Sequence, residues 1–302
     1  MNPAELISDL RQRGIELWIE EGRLKCRAPA GTLSSEMKAT LADRKEEFLA
    51  FLRREQIVES ARRTLVPLIP EGRRPPLFAV PGPDGDVSCF LPLARHLDAD
   101  QPLLGVQPRG LDGTDPYQAI EELACYELEQ IRKVRERGPY LIAGYRGGGL
   151  IAFEIARQLI ERRQHVALVA LIASAFPSRW DSFVDRLRRR HTEANDAPPG
   201  ADHELAAARA RVQQATLAAV RRYRPGPFSG DVDLFIPSGG WRARARIERW
   251  RLVARGVNEH ACSTTDDGDD ALLREPGVSS LAAALRQRLD GIAAAGRDGD
   301  PA

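Results

Sequence analysis

The segment Tyr140-Leu-Ile-Ala-Gly144-Tyr145-Arg146-Gly147-Gly148-Gly149 passes from an apolar strand through a glycine-rich turn into a helix, Leu150 to Ile160. Ile151, Ile155 and Leu159 recur along one face of that helix. Further strand-like runs at Leu77–Val80, Leu103–Val106, Val166–Ile172 and Val232–Ile236 alternate with helical stretches, so the spacing predicts a parallel α/β sheet covered by helices. The turn has the frame of a G-x-S-x-G motif, in which small flanking residues let strand and helix pack closely while the central side chain projects from the sheet. Here the central residue is Arg146. A guanidinium stays protonated and offers only donors, so it can neither attack a carbonyl nor take up a proton.

A chain of 302 residues accommodates one large domain, or a small one followed by a medium one. Its formal charge of +1 argues against a general nucleic-acid binder. Cys26, Cys89, Cys125 and Cys262 are scattered without the spacing of a zinc site, which predicts reduced thiols and no metal. No apolar run has signal-peptide character or approaches the ~20 residues of a membrane span, so the expectation is a cytoplasmic protein without membrane or nucleic-acid partners.

Residues 1–55 read as a separate module. Asn2-Pro3-Ala4-Glu5 opens a short helix through Gln12, and Gly14 ends it. Ile15–Glu20 and Arg23–Arg27 flank Glu21-Gly22 as a β-hairpin. Ser34 can cap a second helical stretch, with Met37, Leu41, Phe48, Leu49 and Leu52 on one side. Strand alternation puts Arg23, Lys25 and Arg27 on one face, opposite to Leu24 and Cys26. Such a row can select an acidic peptide that adds to the sheet edge, or it can protect the edge from aggregation. The segments Leu10-Arg-Gln-Arg-Gly-Ile-Glu-Leu-Trp18, Gly22-Arg-Leu-Lys-Cys-Arg-Ala-Pro29 and Ala42-Asp-Arg-Lys-Glu-Glu-Phe-Leu-Ala-Phe-Leu52 resemble the TubC-type N-terminal docking domain of nonribosomal peptide and hybrid polyketide assembly lines. The resemblance implies a small α+β domain that captures the C-terminal tail of an upstream synthase subunit, with Trp18, Arg23, Lys25 and Arg27 as docking residues.

Residues 56–75, rich in proline, read as a linker, and 76–290 as the second module. Gln107-Pro-Arg-Gly-Leu-Asp-Gly113, Gly138-Pro-Tyr-Leu-Ile-Ala-Gly-Tyr145, Tyr223-Arg-Pro-Gly-Pro-Phe-Ser-Gly230 and Leu272-Leu-Arg-Glu-Pro276 resemble, in order, the thioesterase domains of the same assembly lines. That resemblance implies an α/β-hydrolase fold. It also implies that the nucleophile position falls on Arg146 and the acid position on Ala173. The histidine position falls on Asp269 or Asp270, depending on one gap. Pro81-Gly-Pro-Asp-Gly85 stands where the family carries its oxyanion turn, and its prolines remove backbone donors. A triad needs a nucleophile, a base and an orienting group, so all three implied positions are substituted. Tyr145, Gly147, Pro81, Gly82, Ser174 and Asp270 are expected around the pocket.

Ser174, Ser88 and Cys89 are the nearest alternative nucleophiles, and His260 the one late histidine, read as a strand residue in Asn258-Glu-His-Ala-Cys262. Arg146 supports two readings: an ion pair with the aspartate run 266–270 that closes the old pocket, or a fork of donors for a carboxylate, a sulfonate or the phosphate of a phosphopantetheine arm. The resemblance implies a lid at residues 176–224, whose basic runs suit an acidic carrier protein or are simply solvated helix faces. The Gly-, Ala- and Asp-rich stretch 291–302 reads as a disordered tail. Together these features predict an accessory, stand-alone thioesterase-like protein that docks to an upstream subunit and binds an acyl or peptidyl carrier protein or its tethered chain without forming an acyl-enzyme. No cofactor of its own is expected. The alternative is an enzyme that uses Arg146 for non-covalent cyclisation or release, or hydrolyses thioesters atypically.

Overall fold

The structure is a computed structural model in which the chain divides into two compact units, Met1–Arg62 and Arg63–Ala302. It describes residues 64–177, 201–238, 247–264 and 270–298 of the larger unit, and residues 6–7, 10, 14–20, 23–29, 32, 37, 41, 44–45 and 47–49 of the smaller one.

In the smaller unit, β1 (Glu16–Glu20) pairs antiparallel with β2 (Arg23–Arg27). Leu17 and Leu24 leave the hairpin on its apolar face, where Leu17 joins Ile7, Leu10, Ile15 and Phe48 in a core edged by Leu24, Met37 and Leu41. The register sets Glu16 opposite Arg27 and Trp18 opposite Lys25, so the basic row shares its face with an acidic and an aromatic neighbour.

The larger unit is an α/β-hydrolase fold. Its strands are β3 (Leu65–Ile69), β4 (Leu77–Val80), β5 (Leu103–Val106), β6 (Tyr140–Tyr145), β7 (Val166–Ile172), β8 (Phe228–Pro237) and β9 (Ala254–Cys262). They form one sheet of order β3-β5-β4-β6-β7-β8-β9. All neighbours run parallel except β3, which is antiparallel to β5. The helices are α1 (Leu91–His96), α2 (Ile120–Val134), α3 (Gly148–Glu161), α4 (Ala201–Arg222), α5 (Ile247–Trp250) and α6 (Gly277–Asp298). Every residue of β4 and β6 is buried, which explains why these strands read as unbroken apolar runs. Among the described residues no helix is long and apolar enough to cross a membrane.

Two expectations are corrected. The stretch 56–75 is not all linker, because Leu65–Ile69 is the edge strand of the sheet. Pro67 disguises it, yet a proline is tolerated there because an edge strand needs hydrogen bonds on only one side, and the pairing with β5 is irregular between Pro67 and Ile69. The end of the chain is not a tail from residue 291, because α6 continues to Asp298. Its alanines favour helix, and Leu289 and Ile292 anchor it on the core.

The chain passes from β4 outward to β5 on one side, then returns to β6 on the other. Ligands of open α/β sheets bind outside the carboxyl ends of the strands at such a reversal. The loop after β4, residues 81–86, and the turn after β6, residues 146–147, both end there.

Candidate functional site

Arg146 occupies the sharp turn between β6 and α3 and adopts a left-handed backbone, φ 54°. For a non-glycine residue this conformation is strained, and it is held by the surrounding lattice of bonds. The Arg146 N–H donates to the Ile172 carbonyl at 2.9 Å, and its own carbonyl accepts from Gly149 N at 3.1 Å. The neighbouring glycines are obligatory: a Cβ at Gly148 would collide with the Pro81 carbonyl oxygen, and one at Gly149 with the Ser174 hydroxyl. The turn and the loop after β4 are thereby brought together.

Beside them lies a cavity of about 410 Å³ lined by Gly82, Pro83, Asp84, Ser88, Cys89, Pro92, Tyr145, Arg146, Gln213, Asp270, Leu273 and Arg274. Its volume falls within the range of small-molecule sites. Asp270 is the hub of its ionic wall. The Asp270 carboxylate accepts from Tyr145 Oη at 2.9 Å, from Arg146 Nη1 at 3.0 Å and, more distantly, from Arg274 Nη2 at 3.4 Å. The Arg146 side chain is 11% exposed and that of Asp270 34%. Burial drives the Tyr145 hydroxyl far above its ordinary range, so it remains a donor.

The loop after β4 supplies the opposite wall. Asp86 caps the turn at residues 87–90 by accepting from Ser88 N at 3.0 Å, and it pairs with Arg209 of α4 at 3.3 Å. Gln213, one turn further along α4, reaches the cavity. Asp84 accepts from the Asp86 N–H at 3.4 Å. Burial pushes the Asp84 carboxyl up, as does the charge of Asp86, whereas the Asp86 N–H and the charges of Arg209 and Arg146 pull it down; burial wins.

Of the residues singled out by sequence, Tyr145, Arg146, Gly82, Asp270, Ser88 and Cys89 line the cavity, whereas Pro81, Gly147 and Ser174 do not. Ser174 is fully buried and donates to the Ile172 carbonyl at 3.0 Å and the Gly144 carbonyl at 3.3 Å, which removes it as a nucleophile. Ala173 follows β7 with φ 45°, is buried, and presents only a methyl group where an acid was implied. Burial first, and then the charges of Asp84 and Asp86, drive the Cys89 thiol far above its ordinary range, the reverse of what a reactive thiolate needs. His260 accepts no role here: it bonds Asp233 at 2.8 Å and stacks on Phe235 at 4.5 Å. Among the described residues no histidine lines the cavity. Asp269 lies outside the described residues, as do 178–200 of the segment expected to form a basic lid. Exposed Arg211, Arg221, Arg222 and Arg224 remain along and beyond α4.

Sequence reasoning did not assign Asp84, Gln213, Leu273 or Arg274 to the cavity. Asp84 stood within the altered oxyanion turn, and its charge was the available signal. Gln213 carried none, since its facing depends on how α4 lies across the cleft.

In the smaller unit, Lys25 and Arg27 are exposed and Trp18 half-buried. The Arg27 guanidinium lies 5.7 Å from the Trp18 ring centre and 3.7 Å from the Glu16 carboxylate. The Arg23 side chain lies outside the described residues.

The chain is 45% identical over 109 residues to the malpinin synthetase of Mortierella alpina, covering 36% of this chain and 1% of that protein. It is 36% identical over 127 residues to the indigoidine synthase of Dickeya dadantii (strain 3937), covering 42% of this chain and 8% of that one. It therefore spans only a small part of the length of these relatives. In fold it resembles the NocB thioesterase domain solved as a covalent complex with a fluorophosphonate nocardicin G analogue, with a TM-score of 0.62, 23% identity, and coverage of 74% of this chain and 99% of that one. Residues 4–54 match the TubC N-terminal docking domain. With residues 75–247, more than half of its length, matching the thioesterase domain, the chain belongs to the thioesterase domain family, carrying a TubC N-terminal docking domain ahead of it.

Proposed function

We propose that this protein serves a nonribosomal peptide or hybrid polyketide assembly line as a docked binding module. It holds a carrier-borne chain in a thioesterase-type cleft without forming an acyl-enzyme. One observation carries the reading: at the turn where the fold displays a nucleophile, Arg146 is tied to Asp270 at 3.0 Å. Neither side chain can deliver the attack that an acyl-enzyme requires, since one is a fixed cation and the other is committed to three donors. The retained cavity supports ligand binding, and the exposed arginines of α4 would favour an acidic carrier protein whose phosphopantetheine arm delivers the chain. The docking unit would bring the upstream subunit's C-terminal tail to β2 by strand addition.

A second reading is favoured by the cavity beside Arg146: an enzyme that orients a carboxylate or enolate of the tethered chain for non-covalent cyclisation or release. Intact-protein mass spectrometry of a loaded carrier protein, with and without this chain, separates the two. The binding module leaves the carrier mass unchanged while a pull-down or titration registers the complex. Unloading or a mass change on the carrier overturns it, and loss of that change in Arg146→Ala would assign the chemistry to the arginine. For docking, joint charge reversal of Arg23, Lys25 and Arg27 is expected to weaken capture of an acidic upstream tail, and unchanged binding would remove that assignment.

A further inference from the structure

Among the described residues the charges of the cleft are paired off with one exception. Asp270 is matched by Arg146 and Arg274, and Asp86 by Arg209. Asp84 lines the cavity, yet forms no ion pair among the described residues and accepts only the Asp86 N–H, at 3.4 Å. The Arg146 and Arg209 charges act on it through space, but their guanidinium groups are engaged with Asp270 and Asp86. Asp84 Oδ1 and the edge of the Tyr145 ring lie 3.5 and 3.7 Å from where a Cβ on Gly82 would sit, so the carboxylate and the ring flank the same glycine of the cavity wall. A half-buried carboxylate with unfilled acceptor sites is costly unless a partner arrives.

We infer that Asp84 receives a protonated amine of the ligand, the free amino group of an aminoacyl or peptidyl chain lying in the cavity. This rests on the carrier-borne chain proposed above. An ammonium fits the wall because it supplies three donors and one positive charge. Asp84 provides the countercharge, and the Ser88 hydroxyl and Gln213 amide, both on the cavity wall, provide neutral acceptors. An N-acylated chain loses the charge and two of the donors, so the site selects chains with a free amino end. A ligand carboxylate at the same place would meet Asp84 as a like charge.

The test uses the full chain and two probes: a pantetheine analogue carrying alanine through an amide in place of the thioester, and its N-acetyl counterpart. Calorimetric titration at neutral pH should show the free amine binding roughly tenfold or more tightly than the acetylated form. Asp84→Asn should bring the two affinities together, through loss of affinity for the free-amine probe. Equal affinities in the unaltered chain, or a preference that survives Asp84→Asn, overturn the assignment while non-covalent binding stands. Failure of both probes to bind removes the assignment and the binding-module reading together. Should Asp84→Asn not fold, the comparison of the two probes on the unaltered chain decides alone.

Discussion

Two helices of the larger unit each bury a glutamate completely, and the two side chains end in opposite states. On α3, Glu154 is 1% exposed and accepts from Arg157 Nε at 2.8 Å and Nη2 at 2.7 Å, from Tyr223 Oη at 2.7 Å and from Gln158 Nε2 at 3.1 Å. Burial pushes its carboxyl up, but these donors outweigh burial and hold it below the ordinary range. On α2, Glu127 is 0% exposed, and neither of its oxygens has a partner among the described residues. Burial, with nothing opposing it, raises its carboxyl well above the ordinary range. Burial alone therefore does not decide whether a carboxylate is charged; the number of donors aimed at it does. The cleft repeats the contrast at lower burial, with Asp270 receiving three donors and Asp84 one.

The contrast is broken most directly at Glu154. Glu154→Ala strands the Tyr223 hydroxyl and leaves the Arg157 guanidinium, whose side chain is 26% exposed, with Glu161 as its remaining partner, and should cost roughly 3 kcal/mol in urea unfolding of the larger unit at pH 7. Because the folded-state value is depressed, the carboxylate's contribution is present above about pH 4.5, the ordinary glutamate value, and is lost as pH falls through the folded value. The gap between the unaltered chain and the variant should accordingly narrow in acid. A gap that stays constant with pH would mean that packing, rather than charge, holds α3 at this point.

Glu127 should behave in the reverse sense. Its folded value lies above its unfolded one, so the chain is least penalised below about pH 4.5 and loses stability as pH rises toward the folded value, by about 1.4 kcal/mol per pH unit. Glu127→Met keeps the length of the side chain without its charge, and is expected to stabilise the larger unit by roughly 2 kcal/mol at pH 7 and by little at pH 4. No gain at pH 7 would show that Glu127 has found a donor, and the contrast with Glu154 would fail.

A division between local and distant contacts governs what the sequence disclosed. Strands β4, β5, β6 and β7 were legible because a fully buried parallel strand is written as an apolar run, and the turn at Arg146 because strand, glycines and helix are contiguous. Strand β3 was hidden by Pro67, whose tolerance depends on the edge position that only the assembled sheet confers. The end of α6 was hidden by a composition of Gly, Ala and Asp that is also that of a tail, and the anchoring of Leu289 and Ile292 is a tertiary fact. In the site, the partner of Arg146 was narrowed to a run of aspartates, but the choice of Asp270 required the geometry. Ser174 was named as an alternative nucleophile beside a vacated position, and its burial against Gly149 follows only from how tightly α3 packs. Which carboxylate of the β4 loop faces the cavity is likewise a property of the folded loop.

The smallest expected effect sharpens the comparison at the cleft itself. Arg146 and Asp270 form the same kind of pair as Arg157 and Glu154, but with Asp270 34% exposed rather than 1%. Water shares the solvation of Asp270, and Tyr145 and Arg274 continue to donate to it when the arginine is removed. Arg146→Ala should therefore cost about 1 kcal/mol or less, and a double-mutant cycle with Asp270→Asn should return a coupling of about 0.5 kcal/mol. A coupling as large as the loss at Glu154 would mean that the pair is a structural clasp of the fold rather than the wall of an open site. A small coupling leaves Arg146 held in a strained turn, φ 54°, with little stability returned by its ion pair, the condition in which a binding role accounts for an arginine at that turn better than a structural one.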